Sequence, residues 1–190
     1  FYMENILKIV QSNGLLENDD KGLEELKTSG IEKLEGEKAH IYAASLYLKN
    51  GVLFFIGFDG GKKSLYLCTK NGEPALPEDF SGDAESRDGV TMKRAPLTPE
   101  NAEALQKLFP FTSPVSLRDK RTTVGCGDRL GMASAAHIRA VKQFNAYPVL
   151  AQQSMRELNY TGRSFRTIVA DAAFLVFQEG YTGGYGADGD

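Results

Sequence analysis

The sequence has few of the residues that mark a metal or redox centre. It contains two cysteines and two histidines among 190 residues. Cys68 and Cys126 lie far apart and form no metal-ligand or redox motif, so we expect reduced thiols in a cytoplasmic protein. His40 and His137 have no metal-ligand spacing either, and a structural role is the simpler prediction for both.

Long apolar runs and a basic leader are also missing. The apolar runs are short, such as Val52 to Ile56, whereas a membrane-spanning helix needs about 18 residues. The opening residues, FYMENILKIVQSNG, lack the basic start, apolar centre and cleavage site of a signal peptide. With 42% hydrophobic and 25% charged residues, the composition excludes a disordered chain or a coiled coil. We therefore expect a globular protein with no membrane partner.

The charge distribution does not indicate a nucleic-acid partner. Residues 1–115 carry thirteen basic and eighteen acidic residues, and their bases are mainly lysine. Residues 116–190 carry nine basic and seven acidic residues, and seven of their bases are arginine. This segment is not basic enough to bind nucleic acid. Arginine suits bidentate capture of carboxylate or phosphate, although ordinary helix surfaces would explain these arginines too.

The first part of the chain predicts two short helices followed by an antiparallel meander. Residues 2–11 and 19–28 show helical patterns. Three runs rich in aromatic and aliphatic residues follow, at 40–48, 52–58 and 64–70. Asn-Gly and Asp-Gly-Gly sequences separate these runs, and such residues tolerate the positive φ of tight hairpin turns.

The rest of this part predicts a loop, a strand and a helix. Residues 72–89 have the composition of a polar loop, and residues 89–97 could form one more strand. Thr98 can cap a helix with Pro99 in its first turn, and we expect this helix to end near Leu108. Residues 1–115 thus predict an α+β accessory domain.

After Pro114 the pattern becomes strand, helix, strand, helix, strand. The strands are predicted at 121–126, 147–153 and within 181–190, and the helices begin after caps at Ser134 and Ser164. This order predicts a parallel sheet with helices packed outside it. Parallel sheets normally have both faces covered, so residues 116–190 are expected to open a larger α/β domain.

Polar residues accompany the end of each predicted parallel strand. They are Asp128 and Arg129 after the first strand, Gln152 and Gln153 after the second, and Asp188 and Asp190 in the third. Because the carboxyl ends of parallel strands meet at one edge, we expect these side chains to lie close together. Two amides, a guanidinium and several acids at one edge suit a polyhydroxylated acid as ligand.

Simpler explanations remain for these residues. Asp128 and Arg129 could pair with each other, and Gln152 could cap a turn. Asp188 and Asp190 could belong to a solvated chain end. Alternation along a strand would otherwise place both acids on one face, where they suit acid–base chemistry or ligation of a hard cation.

Three segments in residues 127–190 carry a recognisable set of motifs. They are GDRLGMASAAHIRAV (127–141), PVLAQQSMREL (148–158) followed by Thr161-Gly162-Arg163, and FQEGYTGGYGADGD (177–190). As a set they resemble the tagaturonate/fructuronate epimerase family. The resemblance implies a longer enzyme of the hexuronate pathway, built on a metal-dependent TIM-type barrel. Residues 116–190 would then be the first βαβαβ units of that barrel, incomplete in this chain.

The resemblance also implies roles for particular residues. Asp190 would be the catalytic acid–base, and Arg129 would bind the substrate carboxylate. Hydroxyl groups would be bound, or the metal shell supported, by Asp128, Gln152, Gln153 and Asp188. Glu179 is a weaker candidate, since the end of a helix explains it as well. The family's tail motif is expected to continue into a histidine that binds a divalent cation, and no metal ligand is assigned within this chain.

These observations lead to one main hypothesis and two others. The main hypothesis is an N-terminal part of a metal-dependent epimerase that interconverts tagaturonate and fructuronate, with the 190-residue chain inactive by itself. The second is a small, non-catalytic module that binds a sugar acid. The third is another sugar isomerase or aldolase with the same strand-end pattern. An exposed edge on the unfinished sheet also predicts self-association.

Overall fold

The structure is a computed structural model that describes residues 3–188. Two short helices begin this part of the chain. Helix α1 (Glu4–Ser12) buries one apolar face, formed by Ile6, Leu7, Ile9 and Val10. Helix α2 (Asp20–Thr28) begins after Asp19, whose carboxylate accepts a hydrogen bond from the backbone nitrogen of Gly22 at 2.8 Å. Both helices lie where the sequence predicts them.

An antiparallel sheet of seven strands follows. The strands are β1 (Lys33–Glu35), β2 (Ala39–Tyr42), β3 (Tyr47–Lys49), β4 (Val52–Asp59), β5 (Lys62–Lys70), β6 (Asp83–Arg87) and β7 (Val90–Ala95). Their order is β1-β2-β4-β5-β7-β6, and β3 also pairs with β4. The predicted antiparallel meander is confirmed. The central strands β4 and β5 are buried along most of their length, which explains their nearly continuous apolar sequences.

Two tight turns set the register of this sheet. Asn50 and Gly51 join β3 to β4 with φ of 53° and 77°. Gly60 and Gly61 join β4 to β5 with φ of 58° and 79°. Both connections have two residues and positive φ, as the Asn-Gly and Gly-Gly sequences predict.

The prediction of one continuous strand over 40–48 is wrong. A 3-10 turn at Ala43–Ser45 divides it into β2 and β3. The Ser45 hydroxyl donates to the carbonyl of Tyr42 at 2.7 Å and accepts from the backbone nitrogen of Ile56 at 2.8 Å. These side-chain bonds replace ladder bonds at that point, so both halves pair with β4 but not through the turn.

The prediction of a loop throughout 72–89 is also wrong in part. Strand β6 lies inside it and pairs with β7 from Asp83 to Arg87. This strand is at the edge of the sheet, and its residues are almost all exposed. An edge strand with two solvated faces lacks the alternation by which strands are recognised in a sequence.

The remaining helices and strands form a parallel sheet with helices packed against it. They are α3 (Pro99–Leu108), β8 (Thr123–Gly125), α4 (Ser134–Val141), β9 (Tyr147–Gln152), α5 (Met155–Thr161), α6 (Phe165–Gln178) and β10 (Gly186–Asp188). The three strands are parallel, in the order β8-β9-β10. The predicted parallel sheet is confirmed, and α5 is an additional helix.

The chain divides into two compact units, Phe1–Leu97 and Thr98–Asp190. Helix α3 lies on the second side of this division, whereas the sequence groups it with residues 1–115. It packs against α6, and Arg166 of α6 forms ion pairs with Glu100 and Glu103 of α3. The description of the two parts as an accessory domain and the start of a barrel stays a prediction.

The core of the second unit lies between the parallel sheet and its helices. Ile138, Leu150 and Val176 are at most 1% exposed and come from α4, β9 and α6. Tyr185 is fully buried just before β10, and its hydroxyl donates to the carbonyl of Thr112 at 2.7 Å. Within residues 3–188, no helix combines the length and the hydropathy that crossing a bilayer requires.

Candidate functional site

The carboxyl ends of the three parallel strands lie at one edge of the sheet. In the β9–β10 register, Asp188 is the partner of Gln152. In the β8–β9 register, Gly125 is the partner of Val149. The carboxamide of Gln152 also lies directly over Gly125, where a Cβ atom would collide with its Oε1. Gln152 and Asp188 are therefore neighbours at the edge where the sequence predicts them.

Asp128 follows β8 and accepts hydrogen bonds from the beginning of α4. Its side chain is buried, and its Oδ1 accepts from the backbone nitrogen of Met132 at 3.0 Å. Its Oδ2 accepts from the backbone nitrogens of Ala133 and Ser134 at 2.8 Å each, and from the Ser134 hydroxyl at 3.0 Å. The sequence predicts Ser134 as the cap, but Ser134 is already helical and Asp128 performs the capping.

The same hydrogen bonds control the ionisation of Asp128. Burial by itself raises the pKa of this carboxyl group. The hydrogen bonds from Met132, Ser134 and Ala133 outweigh that effect and hold the pKa below its usual range. The group is therefore a carboxylate at neutral pH, and its charge lies favourably at the N-terminus of α4.

Arg129 does not pair with Asp128. Its Nε donates to Oε1 of Glu157 at 2.7 Å, and its Nη2 contacts the same oxygen. Glu157 is also the third residue of α5, where it closes a capping box with Ser154. The Arg129 side chain is 70% exposed. An exposed guanidinium with a fixed orientation is suited to binding a carboxylate of a ligand.

Gln153 is buried beside the loop of residues 127–133, which lies between β8 and α4 and contains Asp128 and Arg129. Its Nε2 donates to the carbonyl of Asp128 at 2.8 Å. Its Oε1 is also buried and has no hydrogen-bond partner within the described chain. A buried acceptor of this kind is costly unless a donor reaches it.

Arg163 and Asp171 also contact this loop. The sequence predicts no role for either residue, although Arg163 belongs to one of the family motifs. Nη1 of Arg163 donates to the carbonyl of Asp128 at 2.9 Å, and its Nη2 forms an ion pair with Asp171. Burial raises the pKa of Asp171 to about 6, although the Arg163 guanidinium opposes this effect. One signal for Asp171 is its place as a single acid in the apolar sequence of α6, FRTIVADAAFLVFQ, because a buried acid usually has a partner.

Glu179 lies away from these residues. It follows the C-terminal end of α6, the end that leads to the start of β10. Its carboxylate accepts from Nε of Arg139 at 2.8 Å and from Nη2 at 3.2 Å, and Arg139 is near the C-terminal end of α4. Both helix ends precede strands, so this ion pair lies at the opposite end of the parallel layer from the predicted site.

The loop after β8 and Glu157 of α5 border an open depression of about 480 Å³. Its lining consists of Gly127, Asp128, Arg129, Leu130, Met132, Ala133 and Glu157. This volume is within the range of small-molecule sites, and the lining combines apolar groups with one guanidinium and two carboxylates. The depression is thus large enough for a six-carbon sugar acid.

The described residues do not by themselves provide a metal centre. Among residues 3–188, no three side chains of histidine, cysteine, aspartate or glutamate are grouped as metal ligands. Asp188 is exposed at the end of β10, and the carboxylate oxygens of Asp128 already accept bonds from α4. The predicted catalytic residue, Asp190, lies outside the described residues.

Comparison with known proteins identifies the family. The sequence model of the tagaturonate epimerase family, UxaE, matches residues 42–190. The chain belongs to this family. The predicted resemblance is confirmed, and the match to the tagaturonate epimerase family begins well before the motifs of residues 127–190. It includes most of the antiparallel sheet, where the sequence shows no family motif.

Individual relatives agree with this assignment. The chain is 40% identical over 156 residues to a tagaturonate/fructuronate epimerase of Thermotoga maritima, covering 82% of the chain and 31% of that protein. A glycerol-complexed crystal structure of the fructuronate-tagaturonate epimerase UxaE from Cohnella laeviribosi has a TM-score of 0.71 and 41% identity, covering 80% of the chain and 30% of the other.

The native Cohnella structure has a TM-score of 0.71 and 38% identity, covering 90% of this chain and 32% of the other. The chain therefore spans about a third of the length of the relatives that it matches.

Proposed function

We propose that the chain is the N-terminal part of an enzyme that interconverts tagaturonate and fructuronate. The proposal depends mainly on one observation: in a member of this family, the guanidinium of Arg129, held by Glu157, lines a depression formed by the loop that follows the carboxyl end of β8. Sites of parallel α/β proteins are found at the carboxyl ends of the strands. A guanidinium there matches the carboxylate that both sugar acids carry.

The chemistry of the reaction gives the other residues their proposed roles. Tagaturonate and fructuronate differ at one carbinol carbon that is not adjacent to the ketone. Inversion there proceeds either by retro-aldol cleavage and re-addition, or by a shift of the carbonyl followed by proton transfer. Either route needs an acid–base group, which we propose to be Asp190. We propose that the hydroxyl groups of the sugar acid are bound by Gln152, Gln153 and Asp188.

The strand order supports an arrangement as part of a barrel. Each parallel strand lies next to its predecessor in the chain, as successive strands of a TIM-type barrel do. We propose that further strands, supplied by the rest of the enzyme, pair with this sheet. Metal dependence stays a prediction of the family resemblance.

A chimaera tests the proposal. Residues 42–190 would replace the matching segment of the Cohnella laeviribosi enzyme, and conversion of tagaturonate to fructuronate would be followed by NMR. We expect epimerisation by the chimaera and none by the chain alone. Arg129→Met in the chimaera should raise KM for the sugar acid. The control is Arg118→Met, which replaces an arginine outside the proposed site and should leave KM unchanged.

Two outcomes would contradict the proposal. A chimaera that folds, as judged by circular dichroism, but does not epimerise would reject the assigned reaction. Turnover by the 190-residue chain alone would reject its description as a part of an enzyme. Calorimetry separates the remaining alternative, because tight, metal-independent binding of a hexuronate to the chain alone would favour a non-catalytic binding module.

A further inference from the structure

The loop of residues 127–133 is in contact with the Arg163–Asp171 ion pair. Arg163 donates to the carbonyl of Asp128 at 2.9 Å. Gly131 has a φ of 70°, and a Cβ at this position would collide with the Asp171 carboxylate and lie 3.2 Å from Nη2 of Arg163. Two separate points of the loop backbone therefore contact the same pair.

The contact at Asp128 bears directly on Arg129. The carbonyl of Asp128 and the backbone nitrogen of Arg129 belong to one planar peptide group. Gln153 and Arg163 both donate to that carbonyl, at 2.8 and 2.9 Å, so they fix the orientation of the plane. Rotation of this plane would change the direction in which the Arg129 side chain leaves the backbone.

The pair also connects the loop to a long helix. Asp171 lies in α6, the longest helix of the second unit at 14 residues. The side chains of Arg163 and Asp171 are 13% and 28% exposed, so water competes less for their interaction than for a surface ion pair. A functional group is placed most accurately when the residues behind it belong to rigid elements.

We propose that Arg163 and Asp171 are positioning residues that hold loop 127–133 and so direct the Arg129 guanidinium toward the carboxylate of a sugar acid. The second half of this inference rests on the proposed function. Neither residue needs to touch the substrate. Their contribution is to keep the binding arginine in one orientation before a ligand arrives.

Amide hydrogen exchange of the chain itself tests whether the pair holds the loop. The variants are Asp171→Asn, which keeps the shape of the side chain, and Arg163→Met, which removes the guanidinium. The matched control is Arg166→Met, since Arg166 also lies in α6 and pairs with two carboxylates, but those belong to α3. We expect exchange at Met132, Ala133 and Ser134 to accelerate about tenfold in both variants, and to stay unchanged in the control.

Steady-state kinetics of the chimaera test the effect on the substrate. We expect Asp171→Asn to raise KM for tagaturonate about tenfold and to leave kcat within about twofold, because the lost interaction affects binding of the carboxylate rather than the reacting carbon. A role in folding alone would lower Tm without this separation of KM from kcat.

The outcomes separate this inference from the proposed function. Unchanged loop exchange in both variants would overturn it, and so would faster exchange accompanied by an unchanged KM. If the parent chimaera does not epimerise, the proposed function fails, and loop exchange then decides by itself whether the pair holds the loop. Faster exchange together with a raised KM supports both.

Discussion

Replacement of Asp128 by alanine should destabilise the second unit strongly. The carboxylate accepts three backbone bonds and one hydroxyl bond at the start of α4. Loss of a helix cap costs about 1 kcal/mol. Ser134 is 2% exposed, so its backbone and hydroxyl donors would lose their acceptor without access to water. With that penalty, we expect a total loss of about 3 kcal/mol in the free energy of unfolding.

The assay is urea denaturation followed by circular dichroism, with amide exchange of residues 134–141 to assign the change to α4. Asp119→Ala is the matched control, because the side chain of Asp119 is 72% exposed and pairs only with neighbouring Lys120 among the groups described. It should change the free energy of unfolding by less than about 0.5 kcal/mol. A loss below about 1 kcal/mol for Asp128→Ala would refute the capping role.

The pH dependence gives an independent check of the same interaction. The pKa of Asp128 is lower in the folded chain than its ordinary value. Its contribution to stability is therefore fully present above about pH 4, the ordinary aspartate pKa, and is lost as the pH falls through the folded pKa. The stability difference between the wild type and Asp128→Asn should narrow below about pH 4. A constant difference from pH 7 to pH 3 would contradict this explanation.

Three further changes test other parts of the structure. Burial raises the pKa of Asp171 to about 6, so the folded chain favours the protonated carboxyl group. The free energy of unfolding should therefore be highest below about pH 4 and should fall as the pH rises through about 6. Urea denaturation of Asp171→Asn should lack this decline. Tyr185→Phe should lower the free energy of unfolding by about 1–2 kcal/mol in the same assay, because the carbonyl of Thr112 loses its donor. Cys68 is fully buried and burial raises its thiol pKa, so mass spectrometry after maleimide treatment should find Cys126 modified first; equal rates would contradict the burial.

Local sequence signals predict much of this fold. The hairpins follow from Asn50-Gly51 and Gly60-Gly61, whose positive φ is a property of those residues. The starts of α3 and α6 follow from Thr98 and Ser164, which cap their own helices. In each case the residues that decide the structure are close together in the chain.

Features that depend on distant residues are not predicted. The interruption of the strand over 40–48 depends on a hydrogen bond that the backbone nitrogen of Ile56 donates to the Ser45 hydroxyl. The same limit applies at the candidate site, where Arg129 pairs with a residue 28 positions later and Arg163 reaches back 35 positions. The strand-end pattern indicates which residues meet at the edge of the sheet, but not which partners orient them.

The hydrogen bonds that Ser134 donates to the Asp128 carboxylate close residues 128–134 into a small ring, and this ring affects ligand affinity. The conformational entropy of the ring is lost when the chain folds, so its loss does not reduce the free energy of ligand binding. An anion that binds Arg129 therefore meets a loop backbone that is already ordered. Lengthening the ring by a single inserted glycine would transfer that ordering penalty from folding to binding, and would weaken affinity without removing any contact group.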